Sequence, residues 1–217
     1  MSAKIINIFT TPIMIFDTLI SDSAINNRLK ELALEKYENT ENIMRSNKKG
    51  WESAQDFHTW DDDAVRTLRK AMHNVFLQLS AHETKMKVTE FEMAFRESAL
   101  VNVGKRGAYH VPHIHRNCSW SAVYYIDVPT KDEDRAGELE LLDPRTNPII
   151  TGITKRKSAI SITPKTGMAV CFPSWLEHWV HPWNSDEARI SVAWNITITS
   201  LKKKSASESK IENRTQP

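Results

Sequence analysis

The chain has 217 residues, 40% of them hydrophobic and 26% charged, a balance that excludes global disorder and predicts one globular domain. Lys and Arg number 29 against 27 Asp and Glu, a net charge of +2, so nothing in the charge indicates nucleic acid. Two cysteines are too few for a disulfide framework, and no apolar run approaches the length of a membrane span. The first seventeen residues lack the charged start and unbroken apolar run of a secretory signal, and a cytoplasmic protein is expected.

Along the chain, residues 5–16 are β-branched and aromatic around Thr10-Thr11-Pro12, which predicts an early edge strand. Ile25, Leu29, Leu32 and Ala33 then fall on one helical face, with Ser21, Asp22 and Ser23 available as caps. Residues 47–60 read as a polar, aromatic surface loop. A second helix is predicted over 61–82, from the spacing of Val65, Leu68, Met72, Val75, Phe76 and Leu79. Its start carries Asp61, Asp62 and Asp63, where the helix dipole favours negative charge. Beyond Lys87, short β-rich segments alternate with Gly, Pro and Asn. The predicted strands are 91–103, 111–115, 119–128, 137–142, 158–162, 167–172, 178–181 and 189–199. Helices followed by strands predict an α+β fold with a sandwich or barrel, not a βαβ series. The Lys-, Ser- and Glu-rich end, 201–217, is expected to be a disordered tail.

Five of the eight histidines lie between His110 and His181. On a strand, His113 and His115 point to the same side and can chelate one divalent ion. His110 has the opposite parity and is left outside. His178 adds a third imidazole at the start of a later strand. Arg189 follows on an apolar strand, where a guanidinium is costly unless paired with an anion. That anion is either a structural carboxylate, Glu140 or Asp143, or the carboxylate of a ligand, with Ser191 as a second donor on the same face. Three metal ligands on two strands leave coordination positions free, as an oxygen-activating iron site requires.

At this point the sequence resembles the non-haem iron(II), 2-oxoglutarate-dependent oxygenases, a superfamily that includes the prolyl hydroxylases. More narrowly, it resembles a group common in marine bacteria and phages. The likeness runs over nearly all of 5–200. It takes in Phe9-Thr10-Thr11-Pro12, Gly50-Trp51-Glu52-Ser53, His113-Ile114-His115 and the stretch from Ser121 through Tyr124-Tyr125 to Ile126. It continues through Gly137-Glu138-Leu139, Asp143-Pro144-Arg145, Phe172-Pro173-Ser174-Trp175-Leu176-Glu177-His178 and the run from Arg189 to Asn195. The resemblance implies a double-stranded β-helix (jelly-roll) core with N-terminal helices packed outside. It implies one domain over 1–200, with a helical front at about 20–83 and the jelly roll at about 88–200. It also implies Fe(II), 2-oxoglutarate and O2, with succinate and CO2 released as an unactivated C–H bond is hydroxylated.

In the resemblance, His113, His115 and His178 hold the iron, and Arg189 and Ser191 receive the distal carboxylate of 2-oxoglutarate. Tyr125, Ser121 and Asn102 are further candidates for binding it, with no catalytic residue beyond the metal site. His115 stands where the superfamily usually has Asp or Glu, so a second arrangement keeps His113 and His178 and completes the shell with water or Asp143. Whether Tyr124 or Tyr125 faces inward is open, and Trp175, Trp179, Trp183 and Trp194 are expected around the third His and Arg189. The alternatives are a cupin-like metal enzyme without 2-oxoglutarate and a non-catalytic jelly-roll binding protein. The prime substrate is open among small molecules, peptides and protein side chains; no membrane partner is expected, a homodimer is compatible, and the setting is a bacterium or a phage-infected host.

Overall fold

Asp22 and Asp62 each open a helix. Asp22 accepts the Ala24 N–H at 2.9 Å and starts α1 (Ser23–Asn39); Asp62 accepts the Ala64 N–H at 2.8 Å and starts α2 (Asp63–Thr84). The computed structural model describes residues 3, 4, 6, 8–43, 45–130, 134–145 and 158–204. Within them lie β1 (Met14–Phe16), β2 (Asn47–Lys48), β3 (Trp51–Glu52), β4 (Phe91–Gly104), β5 (Tyr109–His113) and β6 (Trp120–Asp127). They are followed by β7 (Leu139–Leu142), β8 (Ala159–Ile162), β9 (Ala169–Pro173), β10 (His178–Val180) and β11 (Arg189–Lys203). No described helix is long and apolar enough to cross a membrane.

The strands form two antiparallel sheets. One has the order β1-β9-β6-β11-β4-β3 and the other β2-β5-β10-β7-β8. This is the expected α+β architecture, a double-stranded β-helix with two helices outside. Strand alternation explains the layering. On β11, Ile190, Val192, Trp194 and Ile196 join Leu29, Ala33, Leu68, Met72 and Phe76 in the core beneath the helices. The intervening Arg189, Ser191, Ala193 and Asn195 line a cavity on the opposite face of the strand. A second apolar cluster, including Tyr125, Leu139, Leu141, Val170 and Phe172, closes the space between the sheets.

Three expectations need correcting. Residues 47–60 are not a surface loop: β2, β3 and a 3-10 turn at Phe57–Thr59 lie there, and Asn47, Trp51, Glu52, Ser53 and Phe57 are buried. Pairing of Trp51 with Val103 and of Glu52 with Asn102 draws the segment onto the large sheet. The early strand shrinks to Met14–Phe16, following the Pro12 interruption. At the other end β11 runs past 200 to Lys203, paired along its length with β4, with Lys202 opposite Glu92 in the register. The remainder of the expected tail, 205–217, lies outside the described residues.

Candidate metal and anion site

The sheets bring the distant histidines together. His113 on β5 pairs directly with His178 on β10, and their ring centroids are 4.4 Å apart. His115 follows β5, tied by its backbone N–H to the Ser174 carbonyl at 3.0 Å. Its ring lies 5.0 Å from that of His113 and 5.1 Å from that of His178. One ligand nitrogen from each ring falls within 4.8 Å of the others, so the three could hold one metal ion.

Their tautomers suit that task. His113 Nδ1 lies 2.7 Å from the Val111 carbonyl, and His178 Nδ1 lies 2.8 Å from the Leu176 carbonyl. Each Nδ1 then donates its proton to the backbone and leaves Nε2 as a lone-pair donor. Burial lowers all three pKa values. For His113 the Val111 carbonyl, Glu52 and Glu177 oppose the shift. His115 falls to about 4 through burial and then His113. His178 falls to about 3 through burial and then its histidine neighbours. Imidazoles that stay neutral well below neutral pH are ready ligands, and an all-nitrogen set suits a divalent transition ion.

The wall opposite carries a buried cation. Arg189, only 4% exposed, donates from Nη1 to the Gly137 carbonyl at 3.1 Å, while its buried Nε has no partner. Burial lowers its pKa against the pull of Tyr125. Among the described residues no carboxylate reaches it. Glu140 is bound to Arg135 and His181, and Asp143 to Arg145, so the structural-carboxylate explanation of Arg189 fails. Asp143 lines a separate outer groove with Trp175 and Leu176, while the group whose ligand atoms converge among the described residues is His113, His115 and His178.

Arg189 and the three histidines line one cavity of about 310 Å3, with Ser191, Tyr125, Ser121 and Asn102 also in its wall. Tyr125, not Tyr124, faces this space. Tyr124 points to the helices, where its hydroxyl donates to Asn26 Oδ1. Burial pushes the Tyr125 phenol up to about 12 against the opposing Arg189 charge, so it stays a hydrogen-bond donor at neutral pH. The Ser121 hydroxyl is engaged within the wall, 2.6 Å from Asn195 Oδ1 and 2.9 Å from Ser174 Oγ. Asn102 sits across the ladder from Ser191 on one side and from Glu52 on the other.

None of the four tryptophans lines the cavity. Trp175 is exposed on the outer groove, Trp179 lies against His181 at a tilt of 37°, Trp194 bonds Glu97 beneath the helices, and Trp183 packs behind Arg189 at Gly137.

The sequence places neither His110 nor Glu52 in the cavity, yet both line it. His110 enters because the strand is irregular. Between His178 and Val180, β10 advances two residues while β5 retreats three, from His113 to His110. The extra residue reverses the alternation and turns His110 to the His113 side, where its Nδ1 meets Ser46 Oγ at 3.3 Å. Burial, followed by Arg189 and the neighbouring histidines, holds its pKa well below the ordinary value. Glu52 is the second such residue. It is 2% exposed and is the one carboxylate among the described lining residues.

Residues 98–195, which include all of these imidazoles and Arg189, match the family model described as "Putative 2OG-Fe(II) oxygenase". No curated protein sequence matches the chain. Among solved structures, a Pseudomonas putida prolyl-4-hydroxylase is similar at 15% identity and a TM-score of 0.64, over 88% of this chain and 95% of that one. A Trichoplax adhaerens prolyl hydroxylase, solved with a hypoxia inducible factor peptide fragment, matches at 13% identity and TM-score 0.57, over 94% of this chain and 87% of that one. SnoN, a non-heme alpha ketoglutarate dependent epimerase from nogalamycin biosynthesis, matches at 12% identity and TM-score 0.59, over 89% and 81% of the two chains. At such identities the structures speak for the fold alone. The segment that spans the site is thus similar to the 2OG-Fe(II) oxygenase family, and the fold around it is the one these solved oxygenases share.

Proposed function

We propose that His113, His115 and His178 hold the iron(II) of this oxygenase through Nε2, and that Arg189, Ser191 and Tyr125 bind the distal carboxylate of 2-oxoglutarate, with Ser121 and Asn102 shaping the wall around it. The observation that carries the assignment is Arg189: a buried guanidinium with an unpartnered Nε, in the wall of the cavity where three imidazoles converge. A buried cation with no protein anion is costly by itself, and a dianionic co-substrate removes that cost. Three neutral ligands leave both of the ion's positive charges in place, and together with Arg189 they favour a dianionic co-substrate.

Iron(II) with 2-oxoglutarate and O2 supplies an oxidative decarboxylation to succinate and CO2 coupled to oxidation of the prime substrate, which we take to be hydroxylation of a C–H bond. The protein supplies geometry and environment. The Val111 and Leu176 carbonyls fix two imidazole orientations, Arg189 sets the depth of the co-substrate, and the Leu139, Phe172 and Val180 walls exclude water. We take the described residues through Lys203 as one oxygenase domain. A cytoplasmic setting accords with the free thiols of Cys118 and Cys171.

Anaerobic addition of iron(II) and then 2-oxoglutarate should produce a weak visible charge-transfer band that His178→Ala abolishes. Wild-type protein that binds no iron would refute the metal assignment. Protein that binds iron but not 2-oxoglutarate would refute the role given to Arg189.

A further inference from the structure

At the same cavity, Glu52 on β3 is an ion-pair partner with half its capacity unused. Its Oε1 accepts from Arg45 Nη1 at 2.6 Å, while Oε2 is buried with no partner. A buried carboxylate oxygen without a donor is costly, and a ligand that brings one removes the cost. Arg45 is different: its side chain is 40% exposed, it also lines the cavity, and only its Nη1 is engaged among the described residues. The cavity wall therefore holds a buried carboxylate oxygen and a partly exposed guanidinium, joined by one short ion pair.

Charge balance narrows what fits there. Glu52 and Arg45 neutralise each other, so a cation alone at Oε2 leaves the remaining N–H groups of Arg45 without an acceptor, and an anion alone at Arg45 leaves Oε2 without a donor. A ligand carrying both charges serves both. The two protein charges are adjacent, so the ligand's charges must be adjacent too. An ammonium and a carboxylate borne on one carbon meet that condition. Size agrees, since about 310 Å3 is near the small end of the roughly 300–1,000 Å3 range of small-molecule sites and must also take 2-oxoglutarate. We infer that the prime substrate is a free α-amino acid or a close zwitterionic analogue, its ammonium donating to Glu52 Oε2 and its carboxylate accepting from Arg45, which aims its side chain toward His113, His115 and His178. This rests on the oxygenase reading above and adds the substrate class.

The test uses the full chain under anaerobic conditions with iron(II) and 2-oxoglutarate bound. The twenty protein amino acids are added singly, each beside its N-acetyl and carboxamide forms, while the charge-transfer band is followed; succinate release is then measured in air. At least one free amino acid should shift the band and accelerate succinate release, and N-acetylation should weaken it tenfold or more. Glu52→Gln should weaken that amino acid tenfold to a hundredfold while iron and 2-oxoglutarate affinities stay within about twofold. Arg45→Gln, a change at the partly exposed side, should weaken the free acid but leave its carboxamide unchanged. The inference is overturned if no amino acid shifts the band, if the blocked forms bind as tightly, or if Glu52→Gln lowers iron affinity, which would assign the carboxylate to the metal. Absence of any band in wild type would instead overturn the oxygenase assignment itself.

Discussion

Replacing Arg189 with methionine separates a binding role from a structural one. The guanidinium is buried, makes one hydrogen bond to the Gly137 carbonyl, and keeps an unpartnered Nε. Removing a charge-assisted bond to the co-substrate should cost about 1.5–3 kcal/mol of binding, more if the carboxylate is left buried and unpaired. At 1.4 kcal/mol per tenfold, the dissociation constant of 2-oxoglutarate should rise roughly tenfold to more than a hundredfold. The protein without ligand should behave in the opposite way. An uncompensated buried charge is replaced by a flexible apolar chain of similar length, so thermal stability should hold or rise. Calorimetric titration of 2-oxoglutarate into iron- or zinc-loaded protein measures the first effect. Melting with and without 2-oxoglutarate measures the second, because a ligand at a hundred times its dissociation constant adds about 2.7 kcal/mol, which the variant should largely lose. If Arg189→Met binds 2-oxoglutarate like wild type, or loses several kcal/mol of stability without ligand, the guanidinium is a structural element and the assignment is wrong.

Gly137→Ala should disturb the same group from behind. The glycine has φ +67°, and an added Cβ would sit 2.9 Å from Trp183 Cε3 and 3.2 Å from Arg189 Cδ. Left-handed strain and overpacking together should cost about 2–4 kcal/mol, a melting drop on the order of 10 °C, with weaker 2-oxoglutarate binding measured by titration. Glu97 offers a pH test away from the site. Although burial opposes it, hydrogen bonds from His73, Arg69 and Trp194 hold its carboxyl at about 2, below the ordinary 4.5. A depressed carboxyl stabilises the fold fully above pH 4.5 and loses that contribution as pH falls toward 2. Wild type should therefore lose about 3 kcal/mol across that window that Glu97→Gln does not, measured by denaturant unfolding at stepped pH. An unchanged gap between the two proteins from pH 5 to 2 would contradict the network.

Some of this architecture is visible in residue order because strand periodicity is local. Ile190, Val192 and Trp194 alternate with Arg189, Ser191 and Ala193 without need of any other strand, whereas the strand expected over 111–115 stops at His113, and His115 is brought beside it by its backbone bond to Ser174. The helical faces through Leu29 and Ala33, and through Leu68, Met72 and Phe76, are equally local. His110 stays outside the three-histidine group, as expected, yet it lines the same cavity: a bulge arises from pairing between two strands, and one extra residue on β5 inverts a parity argument that is sound on a regular strand. Glu52 was missed because a charged residue in a polar stretch reads as exposed, and only the pairing of β3 with β4 buries it. The partner of Arg189 was left between Glu140, Asp143 and a ligand, since which carboxylates are spent on Arg135 and Arg145 depends on side chains far from β11.

Strand β11 has a consequence for how the molecule guards its own chemistry. Its two faces serve different ends, one sealing the helices and the other furnishing the anion pocket. A slip of one position against β4 would exchange them, putting Ile190 and Val192 into the pocket and driving Arg189 under α2. A chain misthreaded there is therefore a chain that cannot close its hydrophobic interior. Quality control acting on exposed apolar surface would thereby remove inactive copies, with no need to sense activity.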